Sequence, residues 1–260
     1  YRFHNHRWRE MPEGIELRKK FSVDIVELFE NFREMKLKEF DELAKNASMD
    51  EDSIKDNKDK IRKSIYKVIK QLKTSSFKSN VLVECSELFF VEKFEDKLDS
   101  NPYLIGFENG VYDLENEEFR DGYPEDYITL SAGYNYMEFG DTSPEVLNVW
   151  TFLEQVLPKK SVRNYMFGFL ATCLCGKLFS ERFHILTGSG GNGKSKLIDL
   201  FRMAFDGYCT TLPIAILTKT RQSGEAASPQ LAQTRGRRFV PLQEPENEAR
   251  RSEERRVGKE

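Results

Sequence analysis

The stretch GSGGNGKS at positions 188–195 constrains this chain more than any other, because it fits G-x-x-x-x-G-K-[ST] at every fixed position. Gly188, Gly190, Gly191 and Gly193 let the backbone turn tightly and aim N–H groups at phosphate oxygens, with Ser189 and Asn192 completing the loop. Lys194 supplies a point charge to the β- and γ-phosphates, and the Ser195 hydroxyl can ligate Mg²⁺. A helix that starts here adds the positive end of its dipole. The motif therefore predicts a cradle for ATP and Mg²⁺, with 188–195 as the binding residues.

The flanking sequence predicts alternating elements: a strand at Phe183–Leu186, a helix at Gly193–Phe205 and a strand at Cys209–Leu212. A short helix ends at Leu231–Thr234, and Arg238–Gln243 is a candidate strand. Strand, loop, helix and strand in this order open an α/β nucleotide-binding core. Such a core also needs an acid at a neighbouring strand end, to hold Mg²⁺ through water and to orient the attacking water. Glu244 is the candidate, with Gln243 beside it where many such enzymes place a second acid, and Glu246 or Glu248 as alternatives. Pro241 stands inside the candidate strand, where proline cannot donate to a ladder.

Upstream, Phe21, Ile25, Leu28, Phe29, Phe32, Leu37, Phe40 and Leu43 recur near helical spacing and predict one or two amphipathic helices. A polar loop is expected around 46–57. A further helix has Ile61, Ile65, Val68, Ile69 and Leu72 on one face and Lys60, Arg62, Lys63, Lys67, Lys70 and Lys73 on the other. That basic face reads either as a solvated surface or as one facing DNA. Four short β-like pieces follow, Leu104–Phe107, Val111–Leu114, Glu118–Phe119 and Tyr127–Leu130, broken by Asn109-Gly110 and Asp121-Gly122, which predicts a β-meander. Ser143 as N-cap and Pro144 at the first position start a helix to about Leu157. The next, roughly Val162–Leu178, is apolar enough to predict burial.

Composition sets limits on the class. The net charge of −3 neither demands nor excludes a nucleic-acid partner, which needs only a local basic surface. No apolar run approaches the roughly 20 residues of a membrane span. Cys85, Cys173, Cys175 and Cys209 lack CxxC spacing, and His4, His6 and His184 lack ligand-like partners, so reduced thiols of an intracellular protein are expected and no zinc. Both ends read as cut. The chain opens at Tyr1 inside patterned sequence, and Arg251–Glu260 (RSEERRVGKE) resembles the translation of a sequencing-library adapter, so it is set aside from fold reasoning.

The loop form GSGGNGKS resembles that of the superfamily 3 helicases of viruses and phages, and PQLAQTRGRRFVPLQEPE (229–246) is similar to their approach to the second acidic motif. NPYLIGFENGVYDL (101–114) with Asp126-Tyr127-Ile128-Thr129 resembles the module preceding the helicase in poxvirus-type primase–helicases. The HNHRW and ELRKKFS segments resemble versions from other nucleocytoplasmic large DNA viruses. The resemblance covers roughly 3–248 and implies an α+β chain of two domains. A mainly helical N-terminal region with a small β-meander would lead into the first half of an AAA+-like P-loop core. It divides the chain into a helical linker region (1–100), the meander with its helices (101–180), a partial helicase core (181–250) and the adapter-like tail (251–260).

It also implies an ATP-driven replicative DNA helicase. Lys194 and Glu244 would be catalytic, and Ser195 and Glu244 would hold Mg²⁺ through hydroxyl and water. The partners implied are single-stranded or forked DNA, other copies in a hexameric ring and a fused or separate primase, at a viral replication site in host cytoplasm or nucleus. In that family the γ-phosphate sensor, the arginine finger and the DNA-contacting hairpin lie beyond Glu246, so this piece alone is expected to hydrolyse ATP poorly. The family also places an ordinary β-forming residue where Pro241 stands. Arg235, Arg237 and Arg238 read either as structural residues flanking a strand or as interface or phosphate contacts. Two other functional readings stay open: a P-loop kinase acting on a small molecule, and a non-catalytic nucleotide- or DNA-binding module.

Overall fold

The computed structural model describes residues 1–179, 181–188, 190–214, 216 and 229–243. The chain divides into two compact units, one made of Tyr1 with Glu10–Phe94 and the other of Arg2–Arg9 with Glu95–Glu260. No helix among the described residues is long and apolar enough to cross a membrane.

The first unit is helical: α1 (Ile15–Ser22), α2 (Asp24–Asn46), α3 (Glu51–Leu72) and α4 (Ser75–Leu88). Its buried centre is Val26 from α2 with Ile65, Ile69 and Leu72 from α3, flanked by Phe21, Ile25, Phe29, Ile61, Val68 and Phe77. The apolar spacing of α2 and α3 thus forms the packed face it predicts, although Leu28 and Leu43 point to solvent. The expected loop at 46–57 is shorter than the sequence suggested, because α3 already begins at Glu51. Asp50 caps it, its carboxylate accepting the Ser53 N–H at 2.9 Å, and Glu51 and Asp52 suit the positive end of the dipole. Polar residues there mark a helix start.

The second unit begins with a hairpin that the sequence reading passed over, β1 (Arg2–His4) against β2 (Arg7–Arg9). Asn5 and His6 turn it with φ of 48° and 64°, the geometry that a two-residue hairpin turn requires. After a single turn, α5 (Phe94–Lys97), come β3 (Leu104–Phe107), β4 (Gly110–Asp113) and β5 (Glu118–Arg120), an antiparallel meander in the order β3-β4-β5. The fourth expected strand, Tyr127–Leu130, joins no ladder among the described residues. Its carbonyls are taken singly instead, Ile128 O by Trp8 N (2.7 Å) and Tyr127 O by Asp99 N (2.9 Å). Gly106 in β3 has a specific reason to be glycine: a Cβ there would collide with the Leu130 carbonyl oxygen.

α6 (Pro144–Val156), α7 (Lys160–Leu174) and α8 (Lys194–Phe205) follow, and β6 (Leu212–Pro213) pairs in parallel with β7 (Leu242–Gln243). Ser143 occupies the N-cap position of α6, but its hydroxyl donates to Gly140 O at 2.7 Å and caps nothing. α7 is less buried than its composition suggests. Cys173 is its buried residue, while Tyr165 and Leu174 are exposed and Met166, Phe167, Phe169 and Leu170 are half-buried. The core of this unit gathers Ile105, Leu153, Cys173, Leu197, Phe201, Phe205, Tyr208 and Phe239.

Candidate functional site

The glycine-rich loop sits at the start of α8, and the local sequence explains its shape. Gly191 and Gly193 hold φ of +73° and +81°, a left-handed backbone open to glycine at little cost. Gly193 is the N-cap of α8, and its carbonyl accepts Leu197 N at 2.9 Å. A Cβ at Gly193 would approach Val156 Cγ2 of α6 to 2.8 Å, so this position is closed on one side. At Gly190 and Gly191 a Cβ would meet nothing within 4 Å, so that side of the loop is open. Burial of Leu197, Phe201 and Phe205, one helical turn apart, fixes the direction of α8 and hence the aim of its N-terminus.

The Lys194 ammonium reaches back over the loop. It donates to Gly188 O at 3.0 Å and to Asn192 Oδ1 at 2.7 Å. Gly188, Asn192, Gly193 and Lys194 are therefore brought together, with Ser195 exposed in the first turn of α8. A cation held over a curl of backbone at a helix N-terminus fits the triphosphate of a nucleotide, and an exposed hydroxyl beside it fits a magnesium ligand. Ser189 and Glu244, both predicted site residues, lie outside the described residues, as do Glu246, Glu248 and 251–260. A cavity of about 890 Å³ runs along the flank of α8 past Phe152, Lys196, Asp199 and Arg202, but none of the described residues of 188–195 lines it.

The segments around the loop depart from expectation in two ways. Phe183–Leu186 has the alternation of a strand, with Phe183 and Ile185 about three-quarters exposed and His184 and Leu186 half-buried. It carries no ladder among the described residues, so it is extended chain; a strand exists only where a neighbour supplies hydrogen bonds. His184 packs its ring on Phe169 at 3.9 Å. Pro241 comes immediately before β7, where it has no N–H to donate but its carbonyl accepts Leu212 N at 3.2 Å. Phe239 O likewise accepts Thr210 N at 3.2 Å, and Cys209 and Phe239 form a parallel bridge.

The three arginines before β7 act on backbone carbonyls of the same unit. Arg235 donates to Glu95 O at 2.7 Å, Arg237 to Gly207 O, and Arg238 to Leu174 O and Leu104 O. The Arg238 guanidinium also lies 4.5 Å over the Tyr208 ring, and burial lowers its pKa from the usual arginine value. The structural alternative for these residues is the one their contacts favour. Other polar anchors were not legible in sequence. Tyr208 accepts Gly106 N at 2.8 Å, Asp99 accepts Thr129 N at 2.8 Å, and Glu108 accepts Ser131 Oγ at 2.8 Å and Arg7 at 3.0 Å. Burial acts to raise the Glu108 carboxyl, but Ser131 and the charges of Arg7 and Arg9 hold it below its ordinary value. All four cysteines are free thiols, and burial pushes Cys173 up to about 11.

Among known proteins, the family described as "D5 N terminal like" matches residues 1–158. A protein of Acanthamoeba polyphaga mimivirus, provisionally named a helicase, is 40% identical over 245 residues, 94% of this chain and 25% of that protein. One from Invertebrate iridescent virus 3 with the same kind of name is 34% identical over 176 residues, 67% of this chain and 19% of the relative. A protein of African swine fever virus, provisionally named a primase, is 26% identical over 188 residues, 71% of this chain and 20% of its own length. The chain thus spans about a quarter or less of these curated relatives.

Proposed function

The chain belongs to the D5 N terminal like family, whose relatives here carry helicase and primase names in large DNA viruses, and from that premise we propose that it is part of a viral replicative primase–helicase whose loop 188–195 binds ATP with Mg²⁺. The observation that supports this most is the Lys194 ammonium drawn over Gly188 O and Asn192 Oδ1 at the N-terminus of α8. There the loop N–H groups and the helix dipole would hold the β- and γ-phosphates, with Lys194 neutralising their charge and Ser195 reaching the metal. Bound Mg²⁺ supplies further neutralisation of the phosphoryl oxygens. Glu244, next in sequence after β7, would take the proton from the water that attacks the γ-phosphorus, releasing ADP and phosphate. In the whole protein these steps would drive a ring of copies, hexameric in this reading, along single-stranded or forked DNA beside a primase. The work would be done where viral genomes are copied, in host cytoplasm or nucleus.

Titration with a fluorescent ATP analogue tests the site. Lys194→Ala should weaken binding by roughly tenfold or more, because a charge-assisted contact to phosphate is lost; unchanged affinity removes the loop from the reading. ATP hydrolysis by a protein of the relatives' full length should rise when single-stranded DNA is added. A small-molecule kinase would be indifferent to it.

A further inference from the structure

Charge is unevenly spread in the helical unit. Glu51, Asp52, Asp56 and Asp59 fall in the first nine residues of α3, whereas from Lys60 to Val83 the chain has seven basic residues and no acidic one. Lys60 is paired with Asp56 at 2.7 Å and Arg62 with Asp59 at 3.3 Å. Lys63, Lys67 and Lys70 are exposed and make no ion pair with a carboxylate among the described residues. At spacings of four and three they line one stripe of α3, about 10 Å long. Lys70 suits the last turn by the helix dipole, but Lys63 and Lys67 are mid-helix, where like charges one turn apart weaken the helix. Tyr66, 61% exposed, lies beside the same stripe. The opposite face is committed to the core through Ile65, Ile69 and Leu72.

We propose that this face of α3 grips single-stranded DNA, Lys63, Lys67 and Lys70 taking successive phosphates and Tyr66 stacking on an unpaired base. A single strand carries one phosphate per nucleotide along a pliable backbone and exposes base faces, so it satisfies both the cation stripe and the aromatic ring. A duplex would use the lysines alone. The inference goes beyond the ATP site and does not rest on it.

The test is fluorescence anisotropy of labelled oligothymidylate with the 260-residue chain, without nucleotide, between roughly 50 and 200 mM salt. Combining Lys63→Gln, Lys67→Gln and Lys70→Gln should weaken binding and flatten the slope of log affinity against log salt by about 2, three contacts at about 0.7 each. Tyr66→Ala should weaken binding roughly tenfold and leave the slope alone. Combining Lys36→Gln, Lys38→Gln and Lys45→Gln on α2 should change neither. An unchanged slope in the α3 variant overturns the proposal, as does equal loss in the α2 variant. Equal affinity for duplex that ignores Tyr66→Ala, or binding of polyglutamate in place of DNA, overturns it in favour of those partners. Because no nucleotide is present, failure here leaves the ATP reading standing, and failure of ATP binding leaves this one.

Discussion

In the helical unit the buried centre is wholly aliphatic, Val26, Ile65, Ile69 and Leu72, and its polar ties, such as Arg18 to Ser75 and Ser79, lie at the surface. In the unit that holds the meander, polar side chains instead tie together groups, backbone and side chain, that lie far apart in sequence. Tyr208 binds Gly106 N, Glu108 is held by Ser131 and Arg7, and Arg238 reaches the carbonyls of Leu104 and Leu174. The difference teaches where each unit is vulnerable. Apolar contacts are non-directional and tolerate a free choice of surface charge, which leaves the outer face of α3 available for a ligand. Buried hydrogen bonds are directional, and removing one partner strands the other.

Apolar truncation should injure both units alike, and this is the largest effect. Leu197→Ala and Ile69→Ala, at residues 0% and 4% exposed, should each cost about 2–5 kcal/mol in urea unfolding followed by circular dichroism. If Ile69→Ala were silent, the four aliphatic residues would not be the centre of their unit. Polar truncation should separate the units. Tyr208→Phe leaves the buried Gly106 N–H without its acceptor and should cost about 1–3 kcal/mol in the same measurement; a neutral result would erase the contrast.

Acid should sharpen the contrast further. The Glu108 carboxyl is depressed below its ordinary value of 4.5, so its contribution is complete above that pH and is lost as pH falls through the lower folded value. Glu108→Gln should therefore flatten the acid limb of stability below about pH 4.5, and an unaltered limb would show that the Arg7–Glu108–Ser131 contact carries no linkage. The smallest effect belongs to the basic stripe. Lys67→Gln should stay within about 0.5 kcal/mol of the parent, as exposed substitutions do, and a larger loss would make the stripe structural.

Helical spacing in 21–43 and 61–72, Asn109-Gly110 between alternating residues, and the glycine pattern of 188–193 were all legible in the chain. Each is decided by interactions within a few residues of itself. The same holds for the shape of the loop before α8, since positive φ and a helix start are local properties. The hairpin at 2–9 carried its own signal in Asn5-His6, but its tie to the meander, Arg7 to Glu108, spans 101 residues and left no mark on the spacing.

By itself the sequence determined the helices, the meander, the glycine-rich turn and the separation of charge along α3, because backbone sterics and periodicity act at short range. Tertiary structure alone decided that Arg235, Arg237 and Arg238 serve carbonyls, that Phe183–Leu186 stays extended without a ladder among the described residues, and that Pro241, just before β7, accepts where it cannot donate. Those outcomes depend on which backbone groups from distant segments arrive beside each residue, and a buried donor or acceptor is satisfied only by what folding brings to it.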